Sequence, residues 1–574
     1  MKRFLLVLVV AAAVAGLGWQ VLRLHPEQRP APGPALAGRV RPQGDAYVSP
    51  VPRPLDLNPF TTSDQVSRRM VLRYTHDTLL DLDGRDLSLR PGLAAVESTG
   101  PEPLTWTLRL RDDAAFADGT PVTSADVRFS WRACVHPEVP GGSVRAVLDR
   151  IAALEVLDAK RFRLRLREPH FAALPEVVTS FTVASRAWFL AEVARLAQAA
   201  GGSVPADEDA PGFGRLLTQV AHPGPGSGPY RLDLPAADAR ARIASADRLV
   251  LPRNPRSWRL AAQPECWNLD ALVLRFVSDP SALFALLRTQ EIDWYFAAEP
   301  EKVLADNPDV AAHYVARVYD QIGDGHYMVV WNHRRPGLAD PRVRRALSGL
   351  FDREAIAGGL LHGKARVARS WFRPGTPEYA GDAGAGRADI AEVRALLAAA
   401  GCGPDRAPLR VSILAASGQE LFRRILEISL PRFEQAGVEL QAEVMDWGAV
   451  VARRDRGEFD GYLQKWTPGV WVDPYVWFHS SQAGGKGLNF MGYADPEMDA
   501  VLEQARREPD DTLRLRLWRR FHELFVRDEP VTLLVHPRSS LLVHRRFRGA
   551  EPDLLGLVPE RWWVEPGEQL RRPR

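Results

Sequence analysis

Residues 106–131 read W-T-L-R-L-R-D-D-A-A-F-A-D-G-T-P-V-T-S-A-D-V-R-F-S-W. Trp106, Leu108 and Leu110 alternate with Thr107, Arg109 and Arg111, the period of two that gives a strand one buried face. Asp118-Gly119-Thr120-Pro121 then supplies a turn, because Asp bonds its own backbone and Gly takes positive φ without a Cβ clash. A helix is predicted beyond it. Thr123 serves as N-cap, and Asp126 closes a carboxylate variant of the capping box at the positive end of the helix dipole. Val127, Ser130 and Trp131 share a face of that helix. Strand, turn and capped helix carry no catalytic chemistry.

Outward from this stretch, 574 residues at 46% apolar content can bury a large core and exceed one compact domain. Two or three lobes are expected. A net charge of +3, from 74 basic and 71 acidic side chains, gives the whole molecule no pull toward nucleic acid or acidic lipid. Met1-Lys2-Arg3 followed by the apolar run from Phe4 has the form of a secretory signal, with Ala13-Val14-Ala15 as a cleavage site. The run continues through Trp19, Val21 and Leu22, and roughly 19 residues also suffice for an uncleaved membrane anchor. Three cysteines, Cys134, Cys266 and Cys402, exclude a disulfide framework and allow one bridge at most. None follows the apolar run directly, which disfavours a lipid anchor.

Residues 1–24 are therefore read as signal peptide or anchor, and the proline-rich 25–45 as an extended linker. Strands alternate with helices further on, which means an α/β chain. Leu272 to Val277 reads as a strand and Pro280 to Thr289 as an amphipathic helix. Asp340 with Pro341 and Asp352 cap two further helices, 341–350 and 353–361. Gly401 is placed to end a helix in the left-handed conformation.

The spelling of the opening stretch resembles the family 5 (peptide/nickel type) extracellular solute-binding proteins of ABC importers. Their signature runs F-x-D-G-x-P-[LVI]-x-[AS]-x-D-V-x-[FY]-[ST], and Phe116, Asp118, Gly119, Pro121, Asp126, Val127, Phe129 and Ser130 fall in register. The likeness extends along the chain. Leu57-Asn58-Pro59 with Asp64, Gly228-Pro229-Tyr230, Arg253-Asn254-Pro255 with Trp258, and Glu291-Ile292-Asp293 match the family's blocks. So do Asp340, Val343-Arg344, Asp352-Arg353, Leu396-Leu397 with Ala400-Gly401, and Asp460. The resemblance implies a type II periplasmic binding protein fold (cluster C): two α/β lobes joined by two strand crossings, with an extra subdomain on lobe I. It places lobe I at 46–322, its inserted subdomain at about 87–222, lobe II at 323–531 and a return to lobe I at 532–574.

It implies a monomeric binding component without cofactor or enzymatic activity. Such a protein captures a peptide-like or other small polar solute between its lobes and delivers it to inner-membrane permease subunits; a membrane-anchored receptor that senses the solute is the alternative. The candidate ligand-binding residues are Thr62, Tyr327, Trp331, Trp371, Trp466, Trp471 and Asp473. Tyr327 and Trp331 lie where relatives carry a strand ending F-N, and aromatic rings there also serve as core. Trp466, Trp471, Tyr475, Trp477 and Phe478 form the densest aromatic cluster, on an irregular segment that must line a cleft or pack beneath one. In peptide-binding relatives an aspartate two or three residues after the tryptophan holds the ligand's ammonium group. Here Trp466 leads into Thr467-Pro468-Gly469, and Asp473-Pro474 matches the family's following D-P instead. Gly484-Gly485-Lys486-Gly487 lacks the spacing of a P-loop. No H-E-x-x-H or paired C-x-x-C motif points to zinc.

Overall fold

The computed structural model describes residues 41–570 apart from 55, 100–103, 141–142, 382–387 and 403–407. The predicted signal or anchor and most of the linker lie outside the described residues. Among those described, no helix is long and apolar enough to cross a membrane, and Cys134, Cys266 and Cys402 are free thiols.

Contacts divide the chain into two units, residues 1–317 with 541–574 and residues 318–540. Both changeovers fall inside strands, Tyr314–Tyr319 and Ser539–His544. The resemblance puts them at 322/323 and 531/532; the strands run straight through the boundary, so no punctuation in the sequence marks it.

In the first unit, strand Ala46–Val51 pairs in parallel with Ala271–Phe276, which pairs antiparallel with Arg248–Pro252. Asp279 caps helix Pro280–Arg288 by accepting from the Ala282 amide at 2.8 Å. Buried Arg546, from the C-terminal return, holds Asp45 at 2.9 Å and Asp293 through Nη2 at 2.9 Å. That ion triad fastens the start of the first strand, the Glu291-Ile292-Asp293 block and the chain's end to one point.

The opening motif lies in a second part of this unit, a four-stranded antiparallel sheet in the order Ala94–Thr99, Thr105–Leu110, Arg161–Leu166, Ile151–Val156. Leu108 and Leu110 are buried as the alternation requires, while Trp106 is half-buried. Helix Ser124–Val135 follows with its capping box formed, the Thr123 amide donating to Asp126 Oδ2 at 2.9 Å. Phe129 of this helix joins Phe60, Phe162 and Phe189 in the subdomain's core. The core also takes Leu79, Leu80 and Trp258, which lie outside 87–222.

The second unit is built on a six-stranded mixed sheet in the order Ala365–Val367, Val531–Pro537, His326–Trp331, Gly461–Trp466, Leu409–Ala416, Val438–Met445. Helices Pro341–Gly349, Ile390–Ala399 and Glu420–Ala436 cover one face with Val343, Leu347, Leu397, Phe422 and Phe433. Asp340 and Asp352 cap as read from the sequence, accepting from the amides of Arg342 and Ala355. The helix expected over 353–361 is α-helical only to Ala355 and widens to a π-turn over Ile356–Leu360.

Candidate functional site

Strand His326–Trp331 runs antiparallel to Gly461–Trp466, with His326 opposite Trp466 and Trp331 opposite Gly461. Side chains alternate across a sheet, so the odd-numbered Val329, Trp331 and Leu463 enter the helix-covered core. His326 and Trp466 face the other way, at the end of the sheet where the parallel strand Leu409–Ala416 also terminates. Carboxyl ends of strands in α/β sheets are where loops assemble binding sites.

Here they assemble an aromatic stack. Trp466, half-buried, lies on Trp371 with ring centroids 4.7 Å apart and planes 25° from parallel. Trp371 is 1% exposed and meets His326 at 4.6 Å, Phe478 at 4.7 Å and Trp477 at 5.7 Å. Its indole N–H and both ring nitrogens of His326 have no hydrogen-bond partner among the described residues. Burial holds the His326 imidazole well below its ordinary pKa, so this ring is neutral. The cluster is thus a buried aromatic floor, and Trp466 is the ring of it that reaches the surface.

The segment after Trp466 is fixed by ion pairing. Asp473 accepts from the Tyr475 amide at 3.0 Å and pairs with Arg506, whose Nε lies 2.8 Å from Oδ2, and the Arg506 guanidinium lies 4.0 Å from the centre of the Tyr475 ring. Tyr475 in turn stacks on His479 at 4.2 Å. Trp471 is half-buried within this segment. Tyr327 points to the sheet's other face, half-buried, edge-on to Phe422 at 6.0 Å and 5.7 Å from the Lys465 ammonium.

Of the seven candidates, the structure brings Trp371 and Trp466 into contact and sets Trp471 and Asp473 on the adjoining segment, with Tyr327 at the same strand end. Trp331 lies at the opposite end of its strand, fully buried, with its indole N–H closed on Thr532 Oγ1 at 2.9 Å. Thr62 belongs to the first unit, 6% exposed, where its hydroxyl accepts from the Asp64 amide at 3.3 Å. Phe296 was not singled out from the sequence. It is 62% exposed on strand Trp294–Phe296 of the first unit, beside a concavity of about 310 Å³ that Tyr295, Phe284 and Lys302 also line. The signal was three successive aromatic residues after Asp293, more than a strand with one buried face can hide. Among the described residues, no group of three or more His, Cys, Asp or Glu is arranged to hold a metal ion.

Residues 88–487 match the sequence profile of the bacterial extracellular solute-binding proteins, family 5 Middle. The chain belongs to that family. This family 5 protein is 23% identical over 567 residues to the oligopeptide-binding protein AppA of Bacillus subtilis, covering 92% of this chain and 93% of that one. It is 24% identical to the periplasmic murein peptide-binding protein MppA of Escherichia coli, over 78% of this chain and 81% of that one. Solved structures share its fold: unliganded, open MppA aligns with a TM-score of 0.71 at 20% identity over 92% of this chain and 99% of that one. NikZ of Campylobacter jejuni with Ni(L-His) aligns with a TM-score of 0.62 at 19% identity, over 89% and 97%. The fold of the family 5 protein is therefore the type II periplasmic binding fold, and the family is one of binding proteins, not of enzymes.

Proposed function

We propose that this protein is the substrate-binding component of an ABC importer, which captures a peptide-like or other small polar solute reversibly and hands it to permease subunits in the membrane. The carrying observation is the near full-length likeness to AppA, named as an oligopeptide-binding protein. The aromatic floor under Trp466 supports the reading on chemical grounds. Flat rings over a buried base give a solute contact area at small entropic cost. Trp466 and Trp471 are the side chains of the second unit that reach the solute. Export follows the relative named as periplasmic, and a monomer suffices for one ligand.

Native mass spectrometry of the purified full chain tests this directly. A co-purifying mixture of short peptides is the expected result, and a single non-peptide solute would redirect the substrate class. Trp466→Ala should weaken capture at least about tenfold, about 1.4 kcal/mol, read from titration of intrinsic fluorescence. Unchanged affinity would remove Trp466 from the site.

A further inference from the structure

We propose that Ser481, in the second unit, is a covalent acylation site: an activated hydroxyl that takes one acyl group from a thioester or aryl ester, separately from solute capture.

A turn and a neighbouring helix set the hydroxyl up. His479, 6% exposed, precedes the short 3-10 turn Ser480–Gln482. Its Nδ1 accepts from the Ser481 amide at 3.1 Å, so that nitrogen bears no proton and Nε2 carries the ring hydrogen. The Ser481 hydroxyl therefore donates to Nδ1, 2.8 Å away. The amide bond belongs to the turn; the hydroxyl turned back on the ring and an acid at the far nitrogen are more than the turn requires. Glu503 Oε1 lies 3.3 Å from Nε2, within ion-pair distance though off-line for a hydrogen bond, and Asp499 Oδ1 lies at 3.9 Å. Both acids stand on helix Pro496–Arg507. Ser481, His479 and Glu503 thus supply a nucleophile, its base, and an acid that keeps the ring's tautomer and steadies the imidazolium that forms.

The base is fixed on its other sides. Tyr475 stacks on the imidazole at 4.2 Å with planes 23° apart, and the His479 carbonyl accepts from Asn489 Nδ2 at 3.1 Å. Asp499 accepts from the Ser480 amide at 2.8 Å, which fastens the turn to the same helix. Ser481 itself is exposed, so a reagent reaches a hydroxyl whose base is sheltered. Gln482 Nε2 and the Tyr475 hydroxyl each lie 3.1 Å from Ser481 Oγ, and are the donors at hand for charge developing on the acyl oxygen. The Ser481 amide, committed to His479, is not among them. The acyl donor is for that reason an activated ester and not a peptide bond. In the step, Oγ bonds to the acyl carbon while its proton passes to His479 Nδ1; the bond from that carbon to the thiolate or aryloxide breaks, and the departing group takes the proton.

The test is incubation of the full chain with p-nitrophenyl acetate and, separately, with a fluorophosphonate, which loses fluoride where the ester loses its phenol. A burst of p-nitrophenol stoichiometric with the chain is expected, with an acetyl or phosphonyl mass on the peptide that holds Ser481 and none on the urea-unfolded chain. Ser481→Ala should abolish the label, His479→Gln should slow it at least about a hundredfold, and Glu503→Gln should slow it about tenfold with the urea midpoint unchanged. Glu503 is exposed, so the last variant carries the test if His479→Gln loses its fold. A label spread over other hydroxyls, or one that forms at full rate in His479→Gln, in Glu503→Gln or in the unfolded chain, would overturn the inference. So would a folded, solute-binding chain that takes no label.

Discussion

Gly325 has no side chain, and the aromatic stack depends on that. Its φ is 63°, and a Cβ built there would lie 1.6 Å from the Trp466 carbonyl oxygen. Its own carbonyl accepts from Arg373 and from His536 Nδ1, so the backbone cannot move aside without breaking both bonds. Gly325→Ala should lower stability by at least about 2 kcal/mol; an unchanged urea midpoint, followed by tryptophan fluorescence, would contradict this geometry. Asp77 is the matching case in the first unit. It accepts from Arg259 Nε at 2.7 Å, Trp258 Nε1 at 2.8 Å and Ser227 Oγ at 2.9 Å, all buried. Asp77→Ala strands a buried guanidinium on Asp81 alone and should cost about 3–5 kcal/mol, measured by the same denaturation.

Elements announce themselves in sequence where a local rule decides them. The Thr123–Asp126 capping box, the Asp340 and Asp352 caps and the alternation of Leu108 and Leu110 were legible because each is settled within a few neighbouring residues. Gly401 likewise takes its left-handed φ, 80°. The site was legible in part: the cluster around Trp466 stood out by composition, but which rings form floor and which form surface depends on strand pairing. Trp331 illustrates why. Its partner across the ladder is Gly461, and only that distant pairing shows the indole filling the space a side chain would take. A Cβ at 461 would lie 2.9 Å from two Trp331 ring atoms and 3.4 Å from Val329 Cγ1. Gly461→Ala therefore overpacks the core and should cost about 1–3 kcal/mol, visible as a lowered midpoint in thermal or urea unfolding.

At the scale of the whole molecule, both units bury neutral histidines. His76 and His222 in the first unit are held down to about 4, and His536 in the second also to about 4, against an ordinary 6.5. Burial is the leading cause in each, since a desolvated imidazolium is disfavoured. The sign follows from linkage. Between about pH 6.5 and 4 the unfolded chain takes up protons that the folded chain refuses, so each group's contribution is complete above 6.5 and declines as pH falls through that window, by up to about 1.4 kcal/mol per pH unit. Glu529 and Glu560, raised by burial, act in the opposite sense as they retain protons in the fold. A histidine variant separates the two contributions. His222 Nδ1 accepts from the Gly224 amide at 3.0 Å, a bond that an asparagine oxygen reproduces without titrating. The urea midpoint of the unaltered chain should drop from pH 7 to pH 5, and His222→Asn should drop less over the same interval. Equal drops would mean that His222 titrates in the fold as freely as in the unfolded chain.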